Sequence, residues 1–528
     1  MAVCRWRLYP PRPRAFHPCP NDLRPKLPIS IRLNSDDNVD IALTDLAPGA
    51  EALGVTITTP VARGHKLANR AISVGENIRR YGQIIGAATQ AIPAGAHVHV
   101  HNIAMSDHAQ DYAFAAEARA LPAANEDRTF MGFRRPDGKA GTRNYLGVLT
   151  SVNCSGSVAR FIAEEAEKSD WFKSLGNVDG IVPIAHASGC GMSGSDEGYA
   201  TLMRTLQGYA QNPNFGGILL VGLGCEVLQI PDLVGRGRMR ADNNFRHMTI
   251  QQVGGTRKTV ERGVEALREM ADIANAYTRE PIPVSELVIG MQCGGSDGYS
   301  GITANPALGV ASDLLVQHGG TTILSETSEI YGAEHLLTRR AVSVEVGEKL
   351  IERIRWWEDY TARNKGEMNN NPSPGNKRGG LTTILEKSLG AVAKGGTAPM
   401  EDVYLFAEPI TKKGFVFMDS PGYDPCSVTG QIASGANLIV FTTGRGSVSG
   451  YKPVPCIKVA TNSEMFRHME EDMDLNTGDI IDGGVSLADK GREMFEQFIR
   501  VASGEVTKSE ALGFGGAEFV PWQIGAVM

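Results

Sequence analysis

Three textures of apolar and polar positions follow one another along the chain. From Ile29 to Asn102 the apolar residues come in short alternating runs broken by turns: Ile29-Ser-Ile-Arg-Leu33, Val39-Asp-Ile-Ala-Leu43, Val55-Thr-Ile-Thr58, Gln83-Ile-Ile-Gly86 and His97-Val-His-Val-His101. Alternation over so few residues marks half-buried strands and predicts a small β-rich domain over 29–102. Residues 103–128 are rich in Ala, Asp, Glu and His with few large apolar side chains, which reads as a linker or an exposed helix. From Met131 to Thr278 continuous apolar runs alternate with helical patterns such as Val158-Ala-Arg-Phe-Ile-Ala-Glu-Glu-Ala166 and Thr259-Val-Glu-Arg-Gly-Val-Glu-Ala-Leu-Arg268. That alternation predicts βαβ units over a parallel sheet. Pro281-Ile-Pro283 marks the next joint, after which Thr321-Thr-Ile-Leu324, Gly414-Phe-Val-Phe-Met418, Asn437-Leu-Ile-Val-Phe441 and Cys456-Ile-Lys-Val-Ala460 continue the pattern. Two α/β domains, 129–280 and 281–528, therefore follow the β domain.

Several of these runs end in polar loops, and four of them end on a thiol. Tyr145–Gly156, Gly180–Gly191 and Gly217–Glu226 are apolar runs closing on Cys154, Cys190 and Cys225, and Leu287-Val-Ile-Gly-Met291 closes on Cys293. In open α/β sheets ligands bind at the carboxyl ends of strands, so these four cysteines are expected to share a neighbourhood. The loop Cys293-Gly-Gly-Ser-Asp-Gly-Tyr-Ser-Gly301 carries four glycines that free its amides, with Ser296, Asp297, Ser300, Thr303 and Asn305 as side-chain donors and acceptors. Asn370-Asn-Pro-Ser-Pro-Gly-Asn-Lys-Arg-Gly-Gly380 is too rich in Pro, Gly and Asn for regular structure and reads as a binding loop or a surface linker.

Composition narrows the function without naming it. The 528 residues allow about three domains, and no apolar run approaches the ~20 residues of a membrane span. A net charge of −7 and a pI near 5.9 argue against a nucleic-acid surface. Eight cysteines are too few for a disulfide scaffold and suit free thiols or metal ligation in a reducing compartment, by default the cytoplasm. Met1 to Lys26 holds six prolines and six Arg or Lys residues without an apolar core, and residues 1–28 read as a disordered extension in which Cys4 and Cys19 carry no chemistry.

Two stretches of the β domain carry chemistry of their own. Ala62-Arg-Gly-His-Lys66 sets a cationic pair and an imidazole beside a glycine, and His97, His99 and His101 face one side of a strand. On an extended strand the outer two lie about 13 Å apart, so at most two of these imidazoles bind one ion. A solvated polar face and a surface turn are the plain alternatives. Neither a P-loop nor a Gly-x-Gly-x-x-Gly opening a helix is present, which leaves polar-acid chemistry rather than nucleotide hydrolysis or hydride transfer.

Ala62-Arg-Gly-His-Lys66, Gly141-Thr-Arg-Asn144, Gly222-Leu-Gly-Cys-Glu226, Cys293-Gly-Gly-Ser-Asp297 with Thr303-Ala-Asn-Pro306, Asn371-Pro-Ser-Pro-Gly-Asn-Lys377 and Phe441-Thr-Thr-Gly-Arg-Gly446 together resemble the altronate/galactarate dehydratase family, in one order from Ile29 nearly to the end. His97-Val-His-Val-His-Asn102 is more similar to the altronate branch, and Val288–Cys293 with Ala311–Leu315 to the galactarate branch. The resemblance implies an α/β fold with a small N-terminal β-clip (SAF-like) domain followed by two α/β domains with mainly parallel sheets. It also implies loss of water from a sugar acid to give a 2-keto-3-deoxy acid, dependent on iron(II) or manganese(II). On that reading His65 or Lys66 takes the C2 proton, Glu326 or Asp297 serves as acid, and Ser296, Asn305, Asn376, Lys377 and Arg445 hold the substrate. For the metal, thiolates of Cys154, Cys190, Cys225 and Cys293 suit iron or an iron–sulfur cluster, whereas His65, His97, His99 and Glu226 form a harder set suited to manganese. A sulfo-lyase acting on a related hydroxy acid and a non-enzymatic sugar-acid or iron–sulfur binding protein are the rival readings. The expected partner is a small sugar acid, with no nucleic acid or membrane, in a possible homo-oligomer.

Overall fold

The computed structural model describes residues 28–106, 110–235, 239–240 and 242–528. The expected extension over 1–28, with Cys4 and Cys19, lies outside the described residues except for its last position. The N-terminal domain is a set of short antiparallel strands: Ser30–Ile31, Val39–Ala42, Lys66–Ala68 and His97–Val98 form one sheet, and Asn77–Arg80, Gln83–Ala88 and Ile103–Ala104 another. Ala42, Leu46, Ala52, Ile57, Val61 and Leu67 make a small core of its own. Val39, Ile78, Ile85, Val98 and Ile103 instead join the core that runs on through Leu308 and Leu389 of the C-terminal domain. At about 1.5–3 kcal/mol per fully buried side chain, that shared core fixes the β domain against its neighbour.

No helix or strand lies between Ala104 and Thr129 among the described residues. Part of this linker is nonetheless tied down, because the amides of Ala115 and Glu117 donate to the Thr338 and Arg339 carbonyls at 3.0 and 2.7 Å. Thr129–Arg134 then pairs antiparallel with Glu280–Pro283, so the proline-flanked joint is an edge strand, where missing amides are tolerated.

The second domain is a four-stranded parallel sheet in the order Gly180–Ile184, Tyr145–Thr150, Phe215–Gly222, Phe245–Thr249. The helices Gly156–Lys168 and Thr256–Asn275 pack on one face through Val158, Ile162, Val260 and Leu267. On the other face Glu197–Ala210 packs against Asp424–Ala433 of the C-terminal domain, so near that Gly208 has no room for a side chain beside the Ala433 carbonyl.

The C-terminal domain carries a seven-stranded parallel sheet in the order Met400–Tyr404, Gly414–Met418, Thr321–Leu324, Val288–Cys293, Leu438–Thr443, Cys456–Ala460, Leu475–Asn476. After Val288–Cys293 the chain winds to one side, and with Leu438–Thr443 it crosses to the other. The loops of these two strands therefore diverge and open a crevice, the place where doubly wound sheets bind ligands. The 370–380 segment is more regular than its composition predicts: Pro374–Arg378 is a short helix, because Ser373 caps it, Pro374 occupies its first turn and Asn376 completes a capping box. The residues after Glu505 bridge the domains, with Trp522 stacked 5.3 Å from Trp357 and Phe519 4.5 Å from Tyr209.

Candidate functional site

Three glycine-bearing loops meet backbone to backbone beside the crevice. The Gly298 amide donates to the Gly379 carbonyl at 2.8 Å, and the Gly64 carbonyl lies so near the α-carbons of Gly298 and Gly380 that neither could carry a Cβ. Gly64 and Gly380 have φ of +80° and +102°, a region that other residues enter only with strain. This seam joins the β domain, the loop after Cys293 and the 374–380 segment around one cleft of about 390 Å3, lined by Arg63, Asp297, Tyr299, Arg378, Arg445 and Asn462 among others. Arg63 is paired with Glu464 at 3.1 Å. Arg378 and Arg445 have no ion-pair partner among the described residues, which leaves two cations for an anionic ligand.

Asp297 forms the floor of the cleft. Its carboxylate accepts from Thr461 Oγ1 at 3.0 Å, Asn462 Nδ2 at 3.1 Å, Ser300 Oγ at 3.1 Å and the Tyr299 amide at 3.1 Å. Burial pushes its pKa up, and these donors only partly push back. Ser296 and Asn376 act behind the wall: Asn376 Nδ2 donates to the Ser296 carbonyl at 2.9 Å while Asn376 Oδ1 closes the capping box. Asn305 is committed as well, accepting from Thr442 Oγ1 at 2.6 Å and donating to the Gly390 carbonyl at 2.8 Å. These residues shape the loop instead of facing the cleft, and Lys377 is half-buried on the short helix.

Lys66 is wholly buried. Its three protons go to the Gly380 carbonyl at 2.6 Å and the two Glu386 oxygens at 2.8 and 2.9 Å, and Arg80 shares Glu386. Burial draws Lys66 down to about 8, and the two cations hold Glu386 at about 2 against the opposing effect of burial, so both stay charged at neutral pH. The pair braces the seam, and the base role expected of Lys66 is not what this geometry provides.

His65, His97 and His99 form a stacked cluster with ring centroids 4.9–5.3 Å apart. A carbonyl can only accept, so His65 Nε2–H donates to Arg378 O at 3.2 Å and His99 Nε2–H to Lys377 O at 2.8 Å, which fixes both tautomers. Burial, aided by neighbouring cations, lowers all three, His97 to about 3 and His99 to about 4, so the cluster is neutral at pH 7 with lone pairs available. His65 Nδ1 and His97 Nε2 are 3.0 Å apart, so with His65 Nε2–H committed to Arg378 O the His97 Nε2–H donates to His65 Nδ1, a bond that an ion held by these two nitrogens would replace. The strand is too bent for the extended spacing expected of it, since it ends at Val98 and turns back through a His99 carbonyl bond to the Asn102 amide. Glu226 does not belong to this set: it accepts from Ser151 Oγ at 2.6 Å and the Gly224 amide at 2.6 Å in the second domain.

The expected pooling of four thiols is corrected too. Cys154, Cys190 and Cys225 are exposed at the strand ends of the second domain, while Cys293 is buried in the C-terminal sheet. Among the described residues one group of His, Cys, Asp or Glu could hold an ion through three close donors, Cys293, Glu326 and Glu329. Lys394 Nζ already donates to Cys293 Sγ at 2.9 Å and Glu326 Oε2 at 2.6 Å, and Lys387 pairs with Glu329 at 2.7 Å. Burial drives Glu326 up to about 8 and Asp424 to about 7, while the nearby anions raise both lysines. Two resident ammonium groups thus neutralise these donors, and the neutral histidines fit a divalent ion better. Glu326 holds φ +67°, a strained conformation, and its carboxyl is held in this network by Gln292 Nε2 at 2.7 Å and Lys394 Nζ at 2.6 Å rather than lining the cleft.

Arg63, Arg378, Lys387 and Lys394 were not singled out by the pattern of the sequence. Arg63 lay inside a quoted motif; Lys387 lies on the helix Ile384–Val392 and Lys394 in the turn Ala393–Gly395 that follows it, and the contacts of Arg378 depend on the seam and leave no local signal.

Models of three domain families match the chain in order: the altronate/galactarate dehydratase SAF domain over 28–106, the D-galactarate dehydratase/altronate hydrolase second domain over 132–275 and the D-galactarate/altronate dehydratase C-terminal domain over 284–527. Altronate dehydratase of Bacillus subtilis (strain 168) is 36% identical over 498 residues, covering 92% of this chain and 97% of that protein. Galactarate dehydratase (L-threo-forming) of Escherichia coli (strain K12) is 37% identical over 494 residues, 90% and 93% of the two chains. The (2R)-sulfolactate sulfo-lyase subunit beta of Chromohalobacter salexigens is 33% identical over 392 residues, 73% of this chain and 95% of that subunit.

Proposed function

The chain belongs to the D-galactarate/altronate dehydratase family, and from that premise we propose that it is a hydro-lyase that removes water from a sugar acid to give a 2-keto-3-deoxy acid. The observation that carries this reading is the cleft at the crossover of the seven-stranded sheet, where Arg378, Arg445 and the buried Asp297 line one space and the neutral histidine cluster is bonded to the Lys377 and Arg378 carbonyls of the segment beside it. Arg378 and Arg445 hold the substrate carboxylate, or both carboxylates of an aldarate, by charge-assisted hydrogen bonds. His65 and His97 would hold iron(II) or manganese(II), which when bound would supply Lewis-acid stabilisation of the charge that develops on deprotonation at C2. His99, its Nε2–H pinned by Lys377 O, keeps Nδ1 as acceptor for the C2 proton. Asp297, raised by burial, protonates the departing 3-hydroxyl, a role for which Glu326 is placed too deep.

The two substrate branches divide on charge at the far end of the ligand. A six-carbon aldarate carries a second carboxylate and engages both arginines, whereas an aldonate engages one. Incubating the protein with manganese(II) or iron(II) and altronate, galactarate or sulfolactate, and assaying 2-keto acid and sulfite, separates the readings. Keto acid from a sugar acid supports dehydration, and sulfite release supports the sulfo-lyase alternative.

A further inference from the structure

The dehydration reading leaves three thiols unused. Cys154 sits in the turn Asn153–Ser155 between the strand Tyr145–Thr150 and the helix Gly156–Lys168. Cys190 and Cys225 follow the two strands that flank it, Gly180–Ile184 and Phe215–Gly222, and all three strands run parallel. The loops are bonded to one another at a single hub: the Asn153 amide donates to Ser188 O at 2.9 Å, and the Val227 and Leu228 amides donate to Gly189 O at 3.0 and 3.2 Å. Each cysteine is within two residues of one of these bonds, so each Cα lies within roughly 8 Å of the hub.

The hub is rigid. Gly189, at φ +99°, crosses so near Ser151 and Val152 that no side chain could be added. Glu226 draws the Cys225 loop onto the Cys154 strand through Ser151 Oγ at 2.6 Å and the Gly224 amide at 2.6 Å. Free cysteine is among the most buried of residues, as Cys426 and Cys456 are here, yet these three are exposed together. A structural role predicts burial, and three solvent-facing thiols on one rigid hub predict a ligand.

We propose that Cys154, Cys190 and Cys225 hold a [4Fe–4S] cluster, one thiolate to each of three irons, with the fourth iron left without a protein thiolate. Iron–sulfur clusters are held by cysteine thiolates. The three thiols do not form a close-set group able to hold a single ion, and a cluster of four irons holds its thiolates farther apart. Loading is a ligand exchange: each protein thiol gives its proton to a departing small thiolate as its sulfur takes the iron, and no electron changes hands. This site is separate from the cleft, and its failure would leave the dehydratase reading intact.

The test is anaerobic transfer from a preformed [4Fe–4S]2+ complex of 2-mercaptoethanol, followed by desalting and determination of iron and acid-labile sulfide. About four of each per chain are expected in the wild type and in Cys293→Ser, with loss in Cys154→Ser, Cys190→Ser and Cys225→Ser. Loading should also protect the three thiols of the wild type from iodoacetamide, read by peptide mass, which does not depend on the variants folding. Iron without sulfide, equal retention in a triple Ser variant, or alkylation unaffected by loading would each overturn the proposal.

Discussion

Replacing Lys66 by Met distinguishes a brace from a base. In the folded chain Lys66 and Arg80 share the buried Glu386 carboxylate, whose pKa falls from 4.5 to about 2. At 1.36 kcal/mol per unit that depression corresponds to roughly 3 kcal/mol, in line with the ~3–5 kcal/mol seen when one partner of a buried pair is removed. Arg80 remains in Lys66→Met, so a loss of about 3 kcal/mol is expected, and at ~2–4 °C per kcal/mol for domains of this size the first thermal transition should fall by ~6–12 °C. The Lys66→Met/Glu386→Gln double variant should lose less than the sum, since each single variant loses the Lys66–Glu386 interaction and the double loses it only once. The sign with pH is also fixed. A carboxyl depressed on folding contributes stability that is complete above pH 4.5 and is lost as pH falls toward 2, so Glu386→Gln should flatten the acid limb of the melting curve. Calorimetry with kcat and KM measured on the same samples decides the matter. If Lys66→Met melts like the wild type while kcat drops ~10³-fold at unchanged KM, Lys66 is the base and the brace is refuted.

The remaining expectations concern the cleft. His97→Gln should weaken manganese(II) binding by at least ~10-fold, read by electron paramagnetic resonance of free ion, whereas His99→Gln should bind the ion normally and lose kcat by ~10²–10⁴. Arg445→Ala removes a charge-assisted bond of ~1.5–3 kcal/mol and should raise KM by ~10–100-fold with kcat nearly unchanged. Asp297→Asn keeps most of the hydrogen bonds to this position, so it should fold normally and lose ~10² or more in kcat, with a larger deficit for substrates bearing the poorer leaving group.

The periodicity of the chain made the layers legible because strands and helices are local. The alternation over 129–280 and 281–528 became two parallel sheets, and Val288–Cys293 emerged as the strand behind the cleft. What the pattern could not convey is which loops meet. Cys293 and Cys225 both close apolar runs, but they end different sheets, and only the fold separates them. Lys66 follows His65 in one motif, yet on a strand successive side chains point to opposite faces, so one enters the salt-bridged core and the other the histidine cluster. Asn376 and Asn305 are polar residues near a site whose hydrogen bonds are spent on backbone, a distinction that burial and partners make and composition does not.

Dehydration initiated at C2 delivers a solvent hydron to C3 when the enol product ketonises, and the enzyme determines which face receives it or leaves it to water. Running the reaction in deuterium oxide with manganese(II), first on altronate and then on galactarate, and following it by proton and carbon NMR, therefore tests the chemistry of the cleft directly. The account predicts a 2-keto-3-deoxy acid carrying deuterium at C3 from at least one of the two, with formation abolished in His99→Gln. Protium retained at both C3 positions, or turnover undiminished in that variant, would contradict it.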